Sequence, residues 1–132
     1  MGNTLSIKKI SFKDMQEILY NKNYYIINTL SLDNQSCLIK NTINPNDEVN
    51  IINNFMKTNK NINIILYGIN NNDETLIKKY DQLISLGFKN IYIYIGGLFE
   101  WLLLQDIYGF DQFPTTSIVA DILKYSSKKI LN

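Results

Sequence analysis

Apolar positions along the chain recur in two spacings, and the two alternate. Phe12, Met15, Ile18 and Leu19 sit at helical intervals behind Ser11, a residue able to cap them, which predicts a helix from Phe12 to about Tyr20. Tyr24 to Ile27 reads as a strand and Leu38-Ile39 as a short one. The turn chemistry of Asn44-Pro45-Asn46-Asp47 opens a second helix through Val49, Ile52, Phe55 and Met56, with Pro45 in its first turn. Asn61 to Tyr67 is the clearest strand, because Ile62, Ile64, Ile65 and Leu66 make a nearly continuous apolar run of the kind covered on both faces in a parallel sheet. Asn71 followed by Glu74 has the spacing of a capping box, for a helix through Leu76, Ile77, Tyr80, Leu83 and Ile84 that stops at Gly87. Ile91 to Ile95 is another strand, followed by Gly96-Gly97 and a helix from Leu98 to about Asp106. Pro114 breaks the chain, and Thr116 or Ser117 caps a last helix near Ile118 to Tyr125.

Strands alternating with helices imply right-handed crossovers and an α/β architecture: an open parallel sheet with helices on both faces, hence three layers. Ligands in such sheets sit beyond the carboxyl ends of the strands. The loop after Tyr67, running from Gly68 to Asp73, is therefore where a site is expected. No linker, repeat or second domain interrupts the pattern. The longest apolar stretch, Ile91 to Leu104, is broken by Gly96-Gly97 and Glu100 and is too short to span a bilayer. Met1 to Ile10 has no apolar core of a secretory signal, so the expectation is a cytoplasmic protein.

Composition narrows the chemistry. The 132 residues contain no His and one cysteine, Cys37, so His-based zinc sites, Ser-His-Asp and Cys-His catalysis and an internal disulfide are all out of reach. Every basic residue is Lys, which removes any arginine-held phosphate. The net charge of +1 offers no electrostatic footprint for nucleic acid. Heavy use of Asn and Ile with a single alanine, Ala120, has the look of AT-rich coding bias, so the Asn70-Asn71-Asn72 run carries little functional weight by itself. Asp73 and Glu74 are read as macrodipole partners at a helix start, and no metal or cofactor is expected.

The stretch Leu83-Ile84-Ser85-Leu86-Gly87-Phe88-Lys89-Asn90-Ile91-Tyr92-Ile93-Tyr94-Ile95-Gly96-Gly97-Leu98-Phe99-Glu100-Trp101 resembles the closing pattern of rhodanese-like domains: a helix ending in Gly-aromatic, a strand, then Gly-Gly-x-x-x-Trp. Ile26-Ile27-Asn28-Thr29-Leu30 stands where that family has an apolar pair and Asp-x-Arg, and the segment from Cys37 to Pro45 where it has His-Ile-Pro-Gly-Ala and a later Pro. The resemblance runs from about Ser6 to Trp101. It implies a three-layer rhodanese-like domain over residues 6–109, with an arm at 1–5 and an extension at 110–132 whose helix packs on the domain. In the family, sulfur is carried as a persulfide on a cysteine directly after the family's fourth strand, in a loop of backbone N–H groups that suits an anion and lowers a thiol pKa. Here the residue at that position is Gly68, and the loop Gly68, Ile69, Asn70, Asn71, Asn72, Asp73 also lacks the basic residue common in enzymatic members. Cys37 lies some thirty residues upstream, before the family's third strand, and Asn28-Thr29-Leu30 lacks the Asp-x-Arg charges. The resemblance therefore implies a non-catalytic member that acts as a protein-interaction or regulatory module, with another protein as its partner. The alternative is a sulfurtransferase or phosphatase-like enzyme of the same superfamily.

Two features fall outside the family pattern. Leu98 to Leu104 carries too many large apolar residues for a surface helix, so the C-terminal extension is expected to cover its outer side with Phe110, Phe113, Ile118, Val119 and Ile122. Met1-Gly2-Asn3-Thr4-Leu5-Ser6 fits an N-myristoylation pattern on Gly2, with Lys8-Lys9 adding basic charge. One acyl chain would hold a membrane only reversibly, at its cytoplasmic face. Tyr92 and Tyr94 are read as core, and the pairs Lys78-Lys79 and Lys128-Lys129 as solvated helix faces.

Overall fold

The computed structural model describes residues 7–131. Four strands, β1 (Lys8–Ile10), β2 (Tyr24–Asn28), β3 (Asn63–Tyr67) and β4 (Asn90–Tyr94), form one sheet in the order β1-β4-β3-β2. All three neighbouring pairs are parallel. Four helices accompany them: α1 (Phe12–Ile18), α2 (Pro45–Thr58), α3 (Glu74–Ser85) and α4 (Gly97–Tyr108). Alternation along β3 sends Ile65 and Tyr67 to one face and Ile64 and Leu66 to the other, and all four are fully buried. On the first face they meet Met15 of α1 and Leu98, Trp101 and Leu102 of α4. On the second they meet Ile52 of α2 and Leu76 and Leu83 of α3. This is the three-layer α/β arrangement, and its register aligns Asn28, Tyr67 and Tyr94 at the carboxyl ends of β2, β3 and β4.

Local chemistry explains most boundaries. Ser11 and Asp14 form a capping box at α1. Asn44 caps α2, with Pro45 just inside it. Burial and hydrogen bonds to Thr42 and the Ile39 N–H anchor Tyr67, burial being the larger influence on its ionisation and pushing its hydroxyl well above the ordinary tyrosine value. Tyr94 is shifted the same way, by burial and then by the Glu100 carboxylate. A raised phenol pKa means that the unfolded chain ionises first. These tyrosines therefore contribute full stability below about pH 10, and that stability falls as pH rises further. Phenolate absorbance should show two tyrosines that ionise only on alkaline unfolding.

Several expectations need correction. Lys8–Ile10, read as no element, is an edge strand paired with β4; three residues, two of them exposed lysines, leave no alternation to detect. Leu38-Ile39 is not a strand of the sheet. Asn41 turns the chain there at φ 68°, leaving single bridges of Ile39 to Thr115 and of Thr42 to Ile26. Asp73, not Asn71, caps α3. No α-helix forms over Ile118 to Tyr125, only a 3-10 turn at Ile122–Tyr125. The two hydroxyls expected to cap that helix are engaged elsewhere: Thr116 Oγ1 accepts from the Leu38 N–H and Ser117 Oγ donates to the Ser36 carbonyl. Lys128 and Lys129 accordingly lie on no helix, while Lys79 of α3 pairs with Glu48.

The extension packs chiefly through Phe113 and Tyr125, 2% and 1% exposed, with Val119 and Ile122 half-buried beside them. Trp101 Nε1 donates to the Pro114 carbonyl at 3.1 Å, and Phe113 stacks edge-on to the indole at 5.0 Å. Phe110 and Ile118, expected in this contact, are exposed, because the pairing of residues 114–117 with 36–40 fixes the path between them.

Candidate functional site

The loop after β3 is built from backbone outward. Gly68 is buried, and its carbonyl accepts from the Leu98 N–H at 2.9 Å; the Ile69 carbonyl accepts from the Phe99 N–H at the same distance. Two of the free N–H groups at the start of α4 are thus spent on the loop itself. So close an approach requires Gly97. Its φ is +70°, and a Cβ there would lie 2.7 Å from the Gly68 carbonyl oxygen. The Gly-Gly pair of the sequence pattern is therefore a docking point between helix and loop.

Asp73 fills the place where a side chain at position 68 would project. A Cβ built on Gly68 would collide with Asp73 Oδ2, and would lie 2.9 Å from its Cγ and 3.0 Å from its Cβ. That carboxylate is held on both oxygens. Oδ2 accepts from the Ile69 N–H at 3.0 Å, and Oδ1 accepts from the Thr75 N–H at 2.9 Å as the cap of α3. A loop N–H suited to an incoming anion is thereby satisfied by the protein's own anion, at the positive end of a twelve-residue helix. Glu74, the other member of the expected acidic pair, is exposed and takes no part.

The Asn residues of the loop divide by role. Asn70 is buried; its Nδ2 donates to the Tyr125 carbonyl at 2.9 Å, and its Oδ1 accepts from the Asn72 N–H at 2.9 Å. The loop is thus tied to the C-terminal extension. Asn71 and Asn72 are exposed. Cys37 is fully buried, and its thiol donates to the Ser117 carbonyl at 3.4 Å, beneath the same extension. Gly2 lies outside the described residues.

Two partners were not legible in the sequence. Gln35 pairs amide to amide with Asn28, at 2.9 and 3.2 Å, and Asn28 Oδ1 also accepts from the Leu30 N–H. Neutral amides thus brace the turn where the family has Asp-x-Arg. Thr75 Oγ1 donates to the Thr29 carbonyl, joining that turn to α3. Beside it, a crevice of about 450 Å³ opens between this turn, α2 and α3, lined by Thr29, Leu32, Gln35, Lys78 and the Glu48–Lys79 pair among others. Among the described residues its lining offers hydrogen-bonding groups and the ammonium of Lys78, which has no ion-pair partner there, and it includes no thiol. Among the described residues no cluster of three or more His, Cys, Asp or Glu could hold a metal, and no helix is long and apolar enough to cross a membrane.

The family model for the rhodanese-like domain matches residues 13–104. The chain belongs to the rhodanese-like domain family. Solved structures agree on the fold of this rhodanese-like domain. The Alr3790 protein from Anabaena sp. is 20% identical, with a TM-score of 0.60 over 84% of this chain and 94% of that one. The BH2092 protein from Bacillus halodurans is 18% identical, with a TM-score of 0.60 over 77% of this chain and 74% of that one. An EanB variant, described as holding ergothioneine covalently linked with a cysteine persulfide, is 17% identical, with a TM-score of 0.53 over 67% of this chain but only 24% of EanB. None of the curated proteins matches the chain in sequence.

Proposed function

We propose that this rhodanese-like domain is non-catalytic and serves as a protein-interaction or regulatory module in the cytoplasm, attached reversibly to membrane through an acyl group on Gly2. The observation that carries the reading is the pairing of Gly68 with Asp73. The position from which a family nucleophile would project has no side chain, and a carboxylate fills the adjoining space and takes the Ile69 N–H. A negative charge so placed repels thiosulfate, persulfide and phosphate alike. The enzymatic alternative needs a thiol, as in the persulfide of EanB, and Cys37 is buried beneath the C-terminal extension. The crevice beside Thr75 remains open, and its amides, hydroxyls and Lys78 suit the backbone and acidic side chains of a protein partner.

Thiosulfate:cyanide sulfur transfer and aryl-phosphate hydrolysis by the purified protein should not exceed those of a heat-inactivated blank. Turnover that disappears in a Cys37→Ser variant would make the enzymatic alternative correct. For the membrane part, Gly2→Ala should move the protein from membranes to cytosol in cells containing N-myristoyltransferase. Identical fractionation of the two forms, with no acyl group in the intact mass, would end that part of the reading.

A further inference from the structure

The last described stretch, residues 122–131, contains Lys124, Lys128 and Lys129 and no carboxylate. The stretch is net +3 in a chain of +1, so the rest of the protein, including Asp121 just before it, is net −2 (ten Lys against twelve Asp and Glu). The same stretch exposes large apolar side chains: Leu123 at 68%, Ile130 at 86% and Leu131 at 76%. Tyr125 is the root. Its ring is buried and its carbonyl is held by Asn70, which fixes this point of the stretch; Ile122 stays half-buried against the core, while Leu123, Lys124 and residues 127–131 are exposed. Single exposed apolar residues are ordinary on any surface. Exposed Leu and Ile interleaved with Lys, without acidic neighbours in the stretch, form a combination suited to an interface that is anionic at its surface and apolar beneath.

We propose that residues 122–131 are a contact site for anionic lipid membranes. The lysines meet phospholipid head groups, and Leu123, Ile130 and Leu131 enter the boundary below them. The site does not rest on acylation of Gly2, and it gives the domain a second, salt-sensitive membrane signal at its other end.

The test uses the full chain carrying Gly2→Ala, so that no acyl group contributes, sedimented with vesicles of phosphatidylcholine alone or mixed with phosphatidylserine. The expected result is partition onto the phosphatidylserine vesicles that weakens with added salt, and little onto phosphatidylcholine. Lys128→Ser with Lys129→Ser should lower that partition by about thirty-fold, from the usual contribution of two surface lysines. Ile130→Ser with Leu131→Ser should lower it as well. All four side chains are exposed, so thermal midpoints should stay at the parent value and exclude unfolding as the cause. Equal sedimentation with both vesicle types, or binding that both double variants retain, would overturn the proposal.

Discussion

Ending the chain at Gly109 will lower its stability by roughly 5 kcal/mol, the contribution of two fully buried aromatic side chains and two half-buried aliphatic ones. The loss follows from α4. Trp101, Leu102, Leu103 and Leu104 are consecutive, and successive helical positions lie about 100° apart, so the sheet cannot cover them all. Phe113 and Tyr125 supply the missing cover, and the Pro114 carbonyl takes the indole N–H. Leu103, at 39% exposure, marks the part of the circumference left uncovered. A loss of that size is a large fraction of the 5 to 15 kcal/mol by which a typical domain is stable. The truncated protein should also associate through its uncovered indole face. Urea unfolding and sedimentation of the two forms would show it. An unchanged midpoint with a monomeric product would mean that the extension is not part of the core.

The second large effect is expected at the loop. Gly68→Cys should destabilise the protein by about 1 to 3 kcal/mol without creating a competent sulfur carrier. The backbone at Gly68 is in no left-handed conformation, so the obstacle is local: the new Cβ displaces Asp73 from the Ile69 N–H and from its capping bond to Thr75. Adding Asp73→Ser should recover part of that stability, because serine keeps a capping oxygen while removing the carboxylate that meets the new side chain. Persulfide yield on the introduced cysteine should be negligible in the single variant and measurable in the double one. A single variant as stable as the parent, or one that carries sulfur readily, would show that Asp73 does not occupy the site.

Much of this was legible in the sequence, and for identifiable reasons. The buried strands β3 and β4 are continuous apolar runs, α1 and α2 carry recognisable caps, and the Gly-Gly-x-x-x-Trp ending marks the family. The loop position of Gly68 followed from that register. What Asp73 does there did not. A carboxylate before a helix reads as a macrodipole partner, and only the folded loop brings it against position 68. Asp73 caps α3 by a local bond to the Thr75 N–H, a signal the Asn71–Glu74 spacing overshadowed, whereas the Asn28–Gln35 pair depends on how the turn after β2 folds back, and spacing carries no sign of that. The missed edge strand was too short to alternate. The expected C-terminal helix failed because its hydroxyls bond to residues 36 and 38, 81 and 78 positions away, a competition that no local pattern records.

Whether the folded protein holds a thiol able to carry sulfur can be read from its intact mass after incubation of the native protein with thiosulfate or a persulfide donor. The mass should be unchanged, with Cys37, buried in the folded protein, reacting with an alkylating reagent only after denaturation. A sulfur atom gained by Cys37 in the native state, and discharged to cyanide or an acceptor thiol, would contradict that expectation.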